Sequence, residues 1–101
     1  MVDISIRYNK SADREKSISY ALDYPDGIRR ILTMRQYQWD WIEVAERHRY
    51  PFAELLGAAI ELSQEFPSKV GYQADILENT KYLLMITMKL IHEDQHHVAN
   101  R

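Results

Sequence analysis

His92-Glu93-Asp94-Gln95-His96 has the spacing H-E-x-x-H, in which two histidines one helical turn apart hold zinc and the glutamate acts as general base. A catalytic zinc needs a third protein ligand. Few residues follow His96, and the adjacent His97 would point about 100° away on a helix, so the set is incomplete. The same residues also read as the solvated polar end of a helix, where histidine suits the negative end of the dipole. That reading is the expectation, and no metal is assigned.

Other chemistry is excluded more simply. Cysteine is absent, which removes disulfides, thiolate metal sites and cysteine nucleophiles. There is no G-x-G-x-x-G, P-loop or G-x-S-x-G pattern, and the 3 glycines (Gly27, Gly57, Gly71) stand far apart. Asp40, Glu43 and Glu46 fall on the polar side of an amphipathic segment, where solvated carboxylates are ordinary and no acid–base pair stands out. Neither an enzyme nor a cofactor is expected.

Charge and aromatic residues carry more information. The formal net charge of -2 over 101 residues is no signature of a nucleic-acid binder, yet basic residues concentrate before Gln36 and acidic residues between Gln36 and Phe66. This basic pole is either a surface for an anionic partner or an ordinary solvated face. Tyr8, Tyr20 and Tyr24 alternate as core residues do, rather than as a stacking platform. Trp41 falls with the apolar stripe of its segment. Trp39 falls toward the polar side, where it either anchors a partner subunit or covers the sheet edge or the C-terminal helix of its own chain.

These residues must be carried by a small number of elements. Val2, Ile4, Ile6 and Tyr8 alternate with polar residues and predict a strand, as do Ile18, Tyr20, Leu22 and Tyr24. Pro25-Asp26-Gly27 then predicts a chain reversal, since proline presets φ, aspartate bonds its own backbone and glycine accepts positive φ. A third strand over Ile28 to Met34 puts Leu32 and Met34 on one face and Arg29, Ile31 and Thr33 on the other. It can pair with its predecessor within one chain or with a second chain.

From Gln36 to His48, Tyr37, Trp41, Val44, Ala45 and His48 recur at helical spacing. A second helix is expected from Pro51 to Phe66, with Pro51 at its first position and a stripe of Phe52, Leu55, Leu56, Ala59, Ile60 and Ser63. Gly57 within it suggests close approach by another backbone. Beyond Ser68, Ile76, Thr80, Leu83, Leu84, Leu90 and Ile91 form a wide helical face, although Tyr82 to Ile91 also fits a buried strand.

The order strand, Gln36 to His48 helix, short Arg49-Tyr50-Pro51 turn and Pro51 to Phe66 helix resembles the ribbon-helix-helix family of DNA-binding repressors, the Arc and MetJ type. The resemblance covers residues 28 to 66. It implies an obligate homodimer in which paired strands enter the major groove of double-stranded DNA. By this resemblance Leu32 and Met34 face the core, and Arg29, Ile31, Thr33 and Arg35 are the DNA-binding residues. The first turn of the second helix, at Phe52 and Ala53, would offer its amides to phosphate.

The expectation is therefore one α+β domain spanning 1–101: a strand-rich part over 1–34, a helical hairpin over 35–66 and a long helix over 68–97. Its expected function is a transcriptional regulator that binds DNA as a homodimer. The alternative is a non-enzymatic protein-interaction module, an adaptor or inhibitor, whose partner is another protein. The start of the chain carries no apolar signal core, and no apolar run is long enough to span a bilayer. A cytoplasmic location, away from membranes, is expected.

Overall fold

A computed structural model of the chain describes residues 14–99, with side chains described as far as Gln95. The elements run β1 (Ser17–Asp23), β2 (Arg29–Arg35), α1 (Gln36–Arg47), α2 (Phe52–Glu65) and α3 (Tyr72–Ala99). Among the described residues the arrangement is α+β, with an antiparallel two-stranded sheet followed by three helices, the last of them long. The strand expected over Val2 to Tyr8 lies outside the described residues.

β1 and β2 pair within one chain, in a register that sets Ile18 against Met34, Tyr20 against Leu32 and Leu22 against Arg30. The turn is closed by Gly27 N–H donating to Tyr24 O at 2.9 Å and Tyr24 N–H donating to Ile28 O at 3.1 Å. Gly27 stands at φ +83, where a Cβ would be strained. Asp26 Oδ1 accepts the Ile28 amide at 3.1 Å, the local bond expected of aspartate in a turn. Every second residue of the hairpin then faces the helices, and Leu22, Leu32 and Met34 are buried there.

α1 follows β2 directly, and Gln38 Oε1 accepts the Arg35 amide at 2.8 Å at its start. Its buried face is Gln36, Trp39, Ile42 and Ala45. This corrects the expected stripe: Trp39, placed toward the polar side by periodicity, has no exposed surface, and Trp41 is only half-buried. The shift has a local cause. The Trp39 indole N–H donates to Ile18 O at 2.9 Å and its ring meets Tyr20 edge-on at 4.7 Å, so the sheet draws this side of the helix inward.

α2 buries Phe52, Leu55, Leu56, Ala59, Ile60 and Ser63, the stripe read from the sequence. Pro51 is its N-cap rather than its first helical residue. Among the described residues, the atom nearest to where a Gly57 Cβ would stand is Pro25 Cγ at 3.9 Å, a side chain at ordinary contact distance and not the expected close backbone. α3 is one helix through the segment Tyr82 to Ile91, and it buries Ile76, Thr80, Leu84 and Ile91. Leu90, expected on its apolar face, is 46% exposed instead. One core unites Leu22, Leu32, Met34, Trp39, Phe52 and Leu56 with α3, and the opposite face of the hairpin is left outside it.

Candidate nucleic-acid interface

The outward face of the hairpin is built from four cross-strand pairs: Ser17 with Arg35, Ser19 with Thr33, Ala21 with Ile31 and Asp23 with Arg29. All eight are exposed. Lys16 with Gln36 and Tyr24 with Ile28 carry backbone hydrogen bonds at the two ends of the ladder. Because such bonds alternate along an antiparallel pair, the four outward pairs are the non-hydrogen-bonded ones, where side chains approach most closely. Two contacts follow from that closeness. Ser19 Oγ and Thr33 Oγ1 share a hydrogen bond of 2.7 Å, and Arg29 meets Asp23 through two parallel bonds of 2.8 and 3.1 Å.

β1 contributes Ser17, Ser19 and Ala21, all small, so the β2 side chains stand higher than their neighbours. The hydrogen bond from Arg29 holds the Asp23 carboxyl below the usual range, and Asp23 in turn holds the guanidinium higher. Arg35 donates Nη1–H to Glu15 O at 2.6 Å. The four expected DNA-binding residues, Arg29, Ile31, Thr33 and Arg35, thus lie on one face, with arginine at each end and Ile31 and Thr33 between.

The two residues expected to contact phosphate, Phe52 and Ala53, lie at the start of α2 and not on the hairpin. The Phe52 ring is in the core, and its amide donates to Glu46 Oε1 at 2.9 Å. A phosphate at the start of α2 would meet that carboxylate. Glu54 N–H and Leu55 N–H already reach Pro51 O at 3.1 and 3.2 Å. A carboxylate from α1 therefore takes the Phe52 amide that the resemblance would offer to a phosphate.

No protein family, curated protein or solved structure matches this chain. The reading of the surface accordingly rests on its own residues.

His92 and Glu93 are exposed near the end of α3, and the His96 side chain lies outside the described ones. Among the described residues no group of three or more His, Cys, Asp or Glu is placed to hold a metal ion. No described helix is long and apolar enough to cross a membrane. An open groove of about 460 Å³ on α1 is lined by the edge-to-face pair Tyr37 and Trp41, with acids Asp40 and Glu43 beside the bases Arg14 and Arg47. Its mixed charge selects no ligand.

Sequence reasoning missed two residues. Arg30 lies on the inner face, buried, with Nε donating to Gln73 Oε1 at 2.6 Å and Nη1 and Nη2 donating to Asp26 at 2.9 and 2.7 Å. Its guanidinium also sits 4.8 Å from the Tyr24 ring centroid. Asp23, the partner of Arg29, was the second. A turn centred on Asp26 sets residue 23 opposite residue 29, so that pair was readable once the hairpin was assumed.

Proposed function

We propose that this chain is a small double-stranded DNA-binding protein, a transcriptional regulator of the ribbon-helix-helix kind. It reads the major groove with the outward face of the β1–β2 hairpin, through Arg29, Ile31, Thr33 and Arg35. One observation carries this reading: a two-stranded ribbon is anchored to a core on one face, and its other face is exposed with an arginine at each end. The major groove, about 12 Å wide, admits a two-stranded ribbon. The side chains suit base edges: arginine pairs with guanine, serine and threonine with several bases, and Ile31 with the thymine methyl.

The hairpin alters how the resemblance applies. β2 already has β1 as its partner, so an interchain ribbon through its other edge would make four strands. At about 4.8 Å between strands, four backbones span about 14 Å, more than the groove admits. The proposed reader is therefore the hairpin of a single chain. A homodimer then brings two such hairpins to two half-sites, and it works in the cytoplasm.

Selection of binding sites from random duplexes at low salt is the test. An enriched duplex should bind with an affinity that falls steeply as salt rises, because phosphate neutralisation releases counterions. Arg29→Ala should weaken that complex by about 1 to 3 kcal/mol and relax its sequence preference, without lowering thermal stability.

A second reading, a protein-interaction module, is favoured by a different observation. Tyr82, Met85 and Leu90 are exposed on α3, and Phe66 and Val70 are exposed in the loop before it. If selection enriches no duplex, this reading replaces the first.

A further inference from the structure

We propose that Asp23 grips Arg29 side-on so that the free end of its guanidinium reads a guanine, which makes Asp23 a positioning residue for base recognition. The inference rests on the DNA reading above. A guanidinium carries five N–H donors in a rigid plane. Arg29 gives Asp23 its Nε–H and one Nη2–H, at 2.8 and 3.1 Å, along one edge of that plane. The other three N–H groups lie on the edges turned away from the carboxylate. Two of them, one on Nη1 and one on Nη2, form the fork that matches guanine O6 and N7.

The hairpin's other arginines lack this arrangement. Arg30, buried on the inner face, gives Nε to Gln73 and both terminal nitrogens to Asp26. Arg35 gives Nη1 to the Glu15 backbone carbonyl rather than its Nε edge to a carboxylate across the hairpin. At Arg29 the bonding to Asp23 runs along the Nε edge and leaves the base-reading fork whole.

Stability does not account for the pair. The two side chains are 69% and 67% exposed, and ion pairs this open contribute little to folding. Near DNA a carboxylate is an electrostatic handicap, since it faces phosphates. What it supplies is orientation: a long side chain already held in plane loses less freedom when it meets a base. Asp23 and Arg29 belong to a non-hydrogen-bonded pair beside the turn, so the backbone fixes both ends of the grip.

The experiment uses duplexes enriched from a random pool, with guanines replaced one at a time by 7-deazaguanine, which lacks N7. Wild type should lose about fivefold to a hundredfold in affinity at one guanine. Arg29→Ala should bind both versions equally. Asp23→Asn should melt with wild type and bind mixed-sequence DNA at least as tightly, having lost a negative charge, yet lose most of its discrimination at that guanine. Discrimination in Asp23→Asn equal to that of wild type overturns the inference and leaves the DNA reading standing, as does an enriched duplex in which no guanine depends on Arg29. A pool in which nothing is enriched overturns both.

Discussion

Asp23 and Asp26 lie three residues apart and hold neighbouring arginines, but the strand alternation sends one pair outward and the other inward. The inner group is the structural one. Arg30 is 6% exposed and fixes the turn to α3 through Gln73, while Tyr24 hydroxyl meets Thr80 Oγ1 at 3.0 Å beneath it. Among the described residues no buried side-chain nitrogen or oxygen lacks a partner, so this polar cluster is satisfied and asks for no ligand. The Arg30 hydrogen bonds hold the Asp26 carboxyl below its usual range, and Ser68, through its hydroxyl and its amide, does the same for Asp75 at the start of α3. A folded-state value below the unfolded one means stability that is present above the unfolded carboxylate range and lost as pH falls through the folded values. Chemical denaturation should accordingly show a plateau near neutrality and a decline below about pH 4. Asp26→Asn should lower the plateau and flatten the decline; an unchanged acid limb would sink this account of the turn.

The two turns around the hairpin and between α1 and α2 use the same backbone region with opposite residue choices. Gly27 occupies positive φ without a side chain to strain, whereas Arg49 holds φ +67 just past the end of α1. Glycine is the usual residue at such a helix end. Gly27→Ala should cost about 1 to 2 kcal/mol, and Arg49→Gly should be neutral or stabilise by up to about 1 kcal/mol, both read from urea midpoints. The elements themselves were largely legible. Alternation of apolar residues marked β1 and β2, Pro25-Asp26-Gly27 marked their reversal, and the spacing of Phe52, Leu55, Leu56, Ala59, Ile60 and Ser63 marked the buried face of α2. The face of α1 was not legible, because periodicity put Trp41 on the apolar stripe and carries no record of the Ile18 carbonyl that selects Trp39. That Arg29, Ile31 and Thr33 share one face followed from strand alternation, whereas Arg35, beyond the expected end of the strand at Met34, came only with the resemblance. The cap by Glu46 did not, since a carboxylate reaching from one helix to the amide of the next depends on how the two helices cross.

At the scale of the whole molecule, the sheet and helices close one core within a single chain. Leu32, 1% exposed, sits in that core behind the proposed reading face. Leu32→Ala should therefore lower stability by about 2 to 5 kcal/mol and weaken DNA binding only through the loss of fold, the converse of Arg29→Ala. Light scattering at micromolar concentration should give the mass of a dimer, supported by the exposed Tyr82, Met85 and Leu90 on α3. A strictly monomeric mass would remove the paired half-sites from the proposed function. Trp39 and Trp41 add an optical consequence. One indole is sealed between helix and sheet with its N–H on a carbonyl, and the other faces an open groove two residues away. Fluorescence of the native protein should thus have two components, a blue one deaf to acrylamide and a red one readily quenched. Phe replacement of Trp41 should leave an emission that shifts only when the hairpin parts from α1. Phe replacement of Trp39 should leave one that barely moves on unfolding, so the chain carries its own internal gauge of whether the ribbon is docked.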